Sequence, residues 1–479
     1  MAASFEKVMQ FFREICAIPH GSYNIDKISD YLVDFAKLRG IAYTQDELKN
    51  VILFKSATPG YEEEAPVMLQ GHMDMVAVCD NPGEKDMTKE GLTLLEEEGF
   101  LSAEGTTLGA DDGIAIAYVL AILDSEDTPH PAIEAVFTVN EEVGMEGASG
   151  IDLSECKSRR IINIDSEEEG EIVVSCAGGV RLHATFTGET QKITAPCVFL
   201  SLDGLLGGHS GSDIHENRAN GAHLLAEILI NIADEYDIHL ISMAAGEKDN
   251  AIPSSGSAEF LVTNIGDPDD FMGYVDEIEN ILKDDYLGIE NNITITAGIQ
   301  LPQENICYTA EDTKRFLEYL FEAPDGVIAF CDHVDMVETS LNLGILLLTP
   351  ESMNLDFALR SSVSEEKEKL LDMLTQITRE FGGDCSASGD YPGWTYAENS
   401  PLRDRAVSIY REMFGKEPLV KGIHAGLECG VLLDKIPGAE AISIGPDILD
   451  AHTTKERLDL ESAKRFYDYL LALLSKKGM

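Results

Sequence analysis

The stretch VMLQGHMDMV, residues 67–76, sets a short apolar run, Val67–Leu69, just ahead of a histidine and an aspartate in His-x-Asp spacing, His72 and Asp74. The apolar run predicts a buried sheet strand, and the C-terminal end of such a strand is where open α/β folds place their sites. Alternation along extended backbone turns His72 and Asp74 to the same side. A neutral imidazole binds Zn²⁺, while a neighbouring carboxylate either binds as well or holds the other ring nitrogen.

Three later segments repeat the pattern of a carboxylate at an element's end. TTLGADDGIAIA (residues 106–117) sets Asp111 and Asp112 in a glycine-flanked turn that feeds an apolar helix, and one of the two is expected to cap that helix. TVNEEVGMEG (138–147) ends the apolar run Ile133–Val139 in Glu141 and Glu142, and IINIDSEEEG (161–170) ends another in Asp165. Adjacent carboxylates repel one another unless a cation or a proton compensates them. Surface acidity would scatter acids along helices; here they gather at strand ends. A histidine among several carboxylates suits a pair of divalent ions of the zinc, manganese or cobalt kind better than Mg²⁺. A near-copy of the first motif, DHVDMV (332–337), carries His333 and Asp335 without any acid-bearing strand ends around it. It is expected to hold no metal.

At 479 residues the chain is long enough for two domains. The first third alternates helical and strand-like runs, a texture of α/β folds. From about His183 strands mix with longer helices, and near Leu402 the α/β texture resumes. Formal charge is −51, which argues against nucleic acid or an anionic membrane surface as partner. No apolar run approaches the roughly 18–20 residues that cross a bilayer. The nine cysteines show no C-x-x-C spacing, and the amphipathic pattern from Phe5 to Ile18 predicts a first helix rather than a secretory leader. A reducing cytoplasm is the expected setting.

Further candidates lie downstream. GLLGGHSGSDIHENRANG (204–221) puts His209 between glycines in a loop, with His215 in the first turn of the helix that follows. Asn250, in NAIPSSG, offers an amide before a proline turn. Arg360, in LRSS, suits a substrate carboxylate through paired donors. The glycine-rich GIHAGLECG (422–430) offers backbone N–H groups to an anion. His452 follows the apolar strand Ala441–Ile444 by a short loop.

Together GHMDMV, TTLGADDG, NEEVGMEGA, NIDSEEEGE, GLLGGHSGSDIH, NAIP, VETSLN, YPGW, HAGLECG and DAHTTKE resemble, in order and over nearly the whole chain, the dinuclear-metal peptidases of the M20 family, on their dipeptidase side. The resemblance implies an α/β catalytic domain, with a mixed sheet flanked by helices and a dinuclear metal site, interrupted by an α+β lid and dimerisation domain. The catalytic segments would be residues 1–182 and 389–479 and the lid 183–388. It implies two divalent ions, with Zn²⁺ expected and Mn²⁺ or Co²⁺ as alternatives. Asp111 would bridge them, His72 and Asp165 hold one, and Glu142 and His452 the other. Asp74 would orient and polarise His72, Glu141 act as general base, and His209 stabilise the oxyanion. Asn250, Arg360 and Gly426 would hold the substrate's carboxylate and backbone. Asp111 rather than Asp112 matches the family's invariant aspartate, which leaves Asp112 as the helix cap. The implied activity is hydrolysis of unblocked dipeptides, Xaa-His dipeptides included, by a homodimer. The alternatives are an aminoacylase, deacetylase or tripeptidase on the same scaffold, or a non-catalytic binding protein.

Overall fold

In the computed structural model the described residues are 4–81, 83 and 85–478. They form two compact units: Met1–Ser175 with Tyr396–Gly422 and Leu427–Met479, and Cys176–Thr395 with Ile423–Gly426.

The first unit is built on an eight-stranded mixed sheet. At its centre the strand Val67–His72 pairs in parallel with Ile133–Thr138 on one side and Arg160–Asn163 on the other. Arg160–Asn163 pairs in parallel with Glu440–Ser443, which returns from the far end of the chain. Val51–Lys55 and Ala42–Gln45 add antiparallel strands at one edge. Every residue of Val67–His72 is buried, as expected of a parallel strand covered on both faces. Helix Ala110–Asp124 is apolar around almost its whole circumference and buried throughout except at Asp111 and Asp124. It packs on that strand and on the N-terminal helix Phe5–Cys16, whose amphipathic face buries Val8, Phe11, Phe12 and Ile15 and whose start is capped by Ser4. Because the sheet is parallel here, His72, Thr138 and Asn163 end their strands at one edge, and the chain immediately beyond carries Asp74, Glu141, Glu142 and Asp165. Gly71 is required for this arrangement: a Cβ there would lie 2.5 Å from the carboxylate of Asp112 and 2.9 Å from Ala115.

The second unit is a nine-stranded antiparallel sheet whose main path runs Thr294–Tyr308, Thr190–Asp203, Gly256–Val262, Ile238–Ala245, Val337–Leu348, Met353–Ser361, Gly178–Phe186 and Asp384–Tyr391. Helices Gly221–Glu235, Pro268–Asp285, Ala310–Glu322 and Ser364–Glu380 contribute to its apolar core. Strand Met353–Ser361 shows the alternation plainly: Leu355, Phe357 and Leu359 enter the core, whereas Asn354, Asp356 and Arg360 lie on the opposite face. The chain is thus an α/β unit with a mixed sheet, interrupted by a separate lid-like α+β unit. The glycine-rich segment 422–430 begins at the end of strand Leu419–Ile423 and runs into helix Glu428–Lys435. No helix among the described residues is long and apolar enough to cross a membrane.

Candidate metal centre

Two groups of metal-ligating side chains meet at the strand ends of the first unit, His72 with Asp111 and Glu142, and His72 with Asp112 and Asp165. Within each group the donor atoms lie within 4.8 Å of one another, and His72 is common to both. His72 Nε2 stands 3.1 Å from Asp111 Oδ1 and 3.6 Å from Asp165 Oδ1. His452 Nε2 stands 2.9 Å from the other oxygen of Asp111 and 3.1 Å from Glu142 Oε1. Asp111 therefore presents one oxygen to each imidazole, the arrangement a bridging ligand requires. Neither group contains His333 or Asp335.

The donor chemistry fits a pair of divalent ions. Burial alone would lower the pKa of His72, but hydrogen bonds with Asp111 and Asp165 raise it well above the usual imidazole value. Hydrogen bonds with Asp111 and Glu142 push His452 up to about 11. Burial favours neutral Asp111, yet its bonds to His452 and His72 hold it below the ordinary carboxylate range. Carboxylates this concentrated hold protons on the imidazoles when no ion is present, and a metal ion must displace them.

Asp74 is buried and ties three segments together. Its carboxylate accepts from Ser22 Oγ at 2.8 Å and from the backbone N–H groups of Glu141 at 3.0 Å and Glu142 at 3.4 Å. His72 Nδ1 donates to the backbone carbonyl of Asp74 at 3.0 Å, with the carboxylate 3.7 Å away. This bond turns Nε2 toward the carboxylates. Burial raises Glu141 well above the ordinary glutamate value, with Asp165, Glu428 and Glu142 adding to the shift and His72 opposing it.

Asp112 corrects an expectation. Its carboxylate makes no helix cap; it accepts the backbone N–H of His72 at 3.1 Å, fastening the helix to the strand. The helix start is served instead by Glu456, whose carboxylate accepts from the N–H groups of Leu108, Gly109, Ala110 and Asp111. Sequence reasoning passed over Glu456, which reads as one more acid in TTKERL. It also passed over the side chain of Glu428, fully buried and bonded to Gln70 and to Thr138 Oγ1. The available signal for Glu428 was an acid just ahead of the apolar run Val431–Leu433.

The other predicted residues belong to the second unit. His209 pairs with Ala251, and Gly208 with Ile252, in a two-stranded ladder that joins the histidine loop to the segment after Asn250. Ser210 N–H donates to the Asn250 carbonyl at 2.9 Å. His209 Nδ1 accepts from the N–H groups of Gly211 at 3.2 Å and Ser212 at 3.1 Å, which leaves the proton of a neutral ring on Nε2. Burial, then the charge of Arg360, lower the pKa of His209. Arg360 donates to Tyr391 Oη at 3.2 Å, and its buried Nε has no hydrogen-bond partner. Gly426 lies in the bend between strand Leu419–Ile423 and helix Glu428–Lys435.

The sequence model of the peptidase family M20/M25/M40 matches residues 68–476. The chain is 34% identical to the cytosol non-specific dipeptidase of Escherichia coli over 474 residues, covering 98% of this chain and 97% of that protein. Its structure is similar to the crystal structure of aminoacylhistidine dipeptidase from Vibrio alginolyticus, with a TM-score of 0.92 and 33% identity over 98% of this chain and 97% of that one. Aminopeptidase PepT from Bacillus cereus shares the fold at a TM-score of 0.59 and 16% identity, covering 99% of this chain and 98% of its own. With the family's sequence model matching residues 68–476 and a relative 34% identical over 98% of the chain, the chain belongs to peptidase family M20/M25/M40.

Proposed function

We infer that the chain is a metal-dependent dipeptidase that hydrolyses the peptide bond of unblocked dipeptides, Xaa-His dipeptides among them. The observation that carries this is Asp111, set between His72 and His452 with one oxygen toward each. The near full-length likeness to a cytosol non-specific dipeptidase and an aminoacylhistidine dipeptidase supports the substrate class. His72, Asp111, Asp165, Glu142 and His452 would hold two divalent ions, with Zn²⁺ as the proposed occupant. When bound, such ions polarise the scissile carbonyl and acidify water.

The chain's own residues do the rest. Glu141 takes the proton of the attacking water and returns it to the leaving amine. Asp74 holds the Glu141–Glu142 turn through two backbone N–H groups, so the base and the neighbouring ligand are fixed together. His209, neutral and carrying its proton on Nε2, donates to the oxyanion. His209→Ala is expected to lower kcat about 10²- to 10³-fold with KM little changed, as for other oxyanion donors. Steady-state kinetics on one dipeptide checks this. Arg360, with a buried donor unpartnered, receives the substrate's terminal carboxylate. Arg360→Ala is expected to raise KM for a free dipeptide by about tenfold or more and to leave a C-terminally amidated dipeptide unaffected.

Metal loading should also release protons. The carboxylates bonded to His72 and His452 favour the protonated imidazoles in the metal-free protein, and an ion binds only the unprotonated nitrogen. Titration calorimetry in buffers of differing ionisation enthalpy is expected to show net proton release on zinc binding. In the metal-free protein His452 is raised from 6.5 to about 11. Its contribution to stability is therefore complete below pH 6.5 and is lost as pH rises toward 11. We further propose that the protein is a cytoplasmic homodimer assembled through the lid-like unit. Light scattering should then give twice the chain mass of 52.3 kDa.

A further inference from the structure

Outside the ligand set, one buried carboxylate, carried on the segment of His452, bonds the turn that carries Asp111. Glu456 is 2% exposed, and its oxygens accept the N–H groups of Leu108 at 2.8 Å, Gly109 at 3.0 Å, Ala110 at 2.7 Å and Asp111 at 3.4 Å. Those groups open helix Ala110–Asp124, whose N-cap, Gly109, has no side chain to satisfy them. A carboxylate among helix-start N–H groups is favoured by charge-assisted bonding and by the helix dipole. It also fixes the backbone from which Asp111 projects.

The same residue anchors the other ligand. His452 stands on the short segment that ends in Glu456, and its side chain is 50% exposed, so little packing holds the imidazole in place. The backbone of that segment is unusual: Asp450 has φ 55° and His452 φ 61°, both in the left-handed region that non-glycine residues avoid. Contacts must hold such a loop. Within it Thr453 Oγ1 donates to the Asp450 carbonyl at 2.7 Å, and Glu456 N–H donates to the Thr453 carbonyl at 3.1 Å. Thr454 Oγ1 bonds to the carboxylate of Asp80. Besides the His452–Asp111 contact of the ligands themselves, the bonds that tie the loop to the Asp111 turn are those of Glu456 to the backbone N–H groups of residues 108–111.

We propose that Glu456 is a positioning residue for the metal pair, one carboxylate that locks the Asp111 turn and the His452 loop in register so that the ion shared by Asp111, Glu142 and His452 meets an assembled donor set. This rests on the ligand assignment given above. Removing Glu456 should weaken that ion selectively. Of the other ion's ligands, His72 and Asp165 keep supports that do not involve Glu456, so that ion should be held closer to its parent affinity.

The test uses full-length Glu456→Gln and Glu456→Asp, with zinc binding titrated against a chromophoric chelator and bound zinc counted after dialysis. The parent is expected to bind two ions. Each variant should keep one ion at near-parent affinity and bind the second about 10- to 100-fold more weakly, as when other residues supporting a metal ligand are lost. Activity should return at high zinc, and Glu456→Asp should lie between the parent and Glu456→Gln. If both variants bind both ions within twofold of the parent and only the melting temperature falls, Glu456 is structural and the proposal is wrong. It is equally wrong if both ions weaken together, or if both variants fail to fold. A parent that binds fewer than two ions would instead overturn the ligand assignment.

Discussion

Glu141→Gln lowers kcat on a dipeptide by about 10²- to 10⁴-fold, the range of a lost general base, and leaves two ions bound per chain. The expectation follows from how the turn is held. Glu141 and Glu142 are adjacent, yet Glu142 stands 3.1 Å from His452 Nε2 and, among the described residues, Glu142 alone of the two enters a ligand group. Both backbone N–H groups of the pair are anchored on Asp74, so exchanging a carboxylate for an amide at Glu141 leaves Glu142 where it is. A glutamate whose pKa is raised by burial and by Asp165, Glu428 and Glu142 is suited to taking and returning a proton near neutral pH. Metal analysis beside kinetics checks the outcome. Loss of an ion from the variant would make Glu141 a ligand instead.

Asp111→Ala should empty both metal positions and reduce activity to background, whereas Asp112→Asn should retain metal. The carboxylate of Asp111 reaches both imidazoles, at 3.1 Å and 2.9 Å, so its removal takes a donor from each ion. Asp112 lies within ligand distance of His72 and Asp165, which makes it the natural rival. Its carboxylate already accepts the His72 backbone N–H, however, in a fully buried position where burial pushes its pKa well up. An asparagine there keeps an oxygen for that bond and is expected to cost no more than about 1–2 kcal/mol of stability. Metal counted on the two purified variants separates the roles. Retention by Asp111→Ala together with loss by Asp112→Asn would reverse them.

The strand ends were legible because a parallel sheet writes them in the sequence as an apolar run followed at once by polar residues. Val67–Leu69 before His72, Ile133–Val139 before Glu141 and Ile161–Ile164 before Asp165 all have this form. Their lateral order was not legible, since strand Glu440–Ser443 joins Arg160–Asn163 from the far end of the chain and no local pattern specifies a partner so distant. The supports were harder still. Asp112 looks like a cap from its place in the turn, but the close approach permitted by Gly71 gives its carboxylate a backbone N–H of the neighbouring strand instead. Glu456 takes the capping task from beyond His452, a role that exists only once the two segments meet. In the sequence, DHVDMV differs from the first motif in having the same spacing but no strand-end acids beside it.

The central claim is that a pair of divalent ions at these strand ends cleaves free dipeptides. The most direct measurement is hydrolysis of a panel containing several dipeptides, an Xaa-His dipeptide, one tripeptide and N-acetylated amino acids, before and after metal is stripped and then restored. The expected result is cleavage of the free dipeptides alone, Xaa-His included, abolished by stripping and recovered with zinc, manganese or cobalt. Cleavage confined to the acetylated compounds, or dipeptide cleavage that survives complete removal of metal, would contradict it.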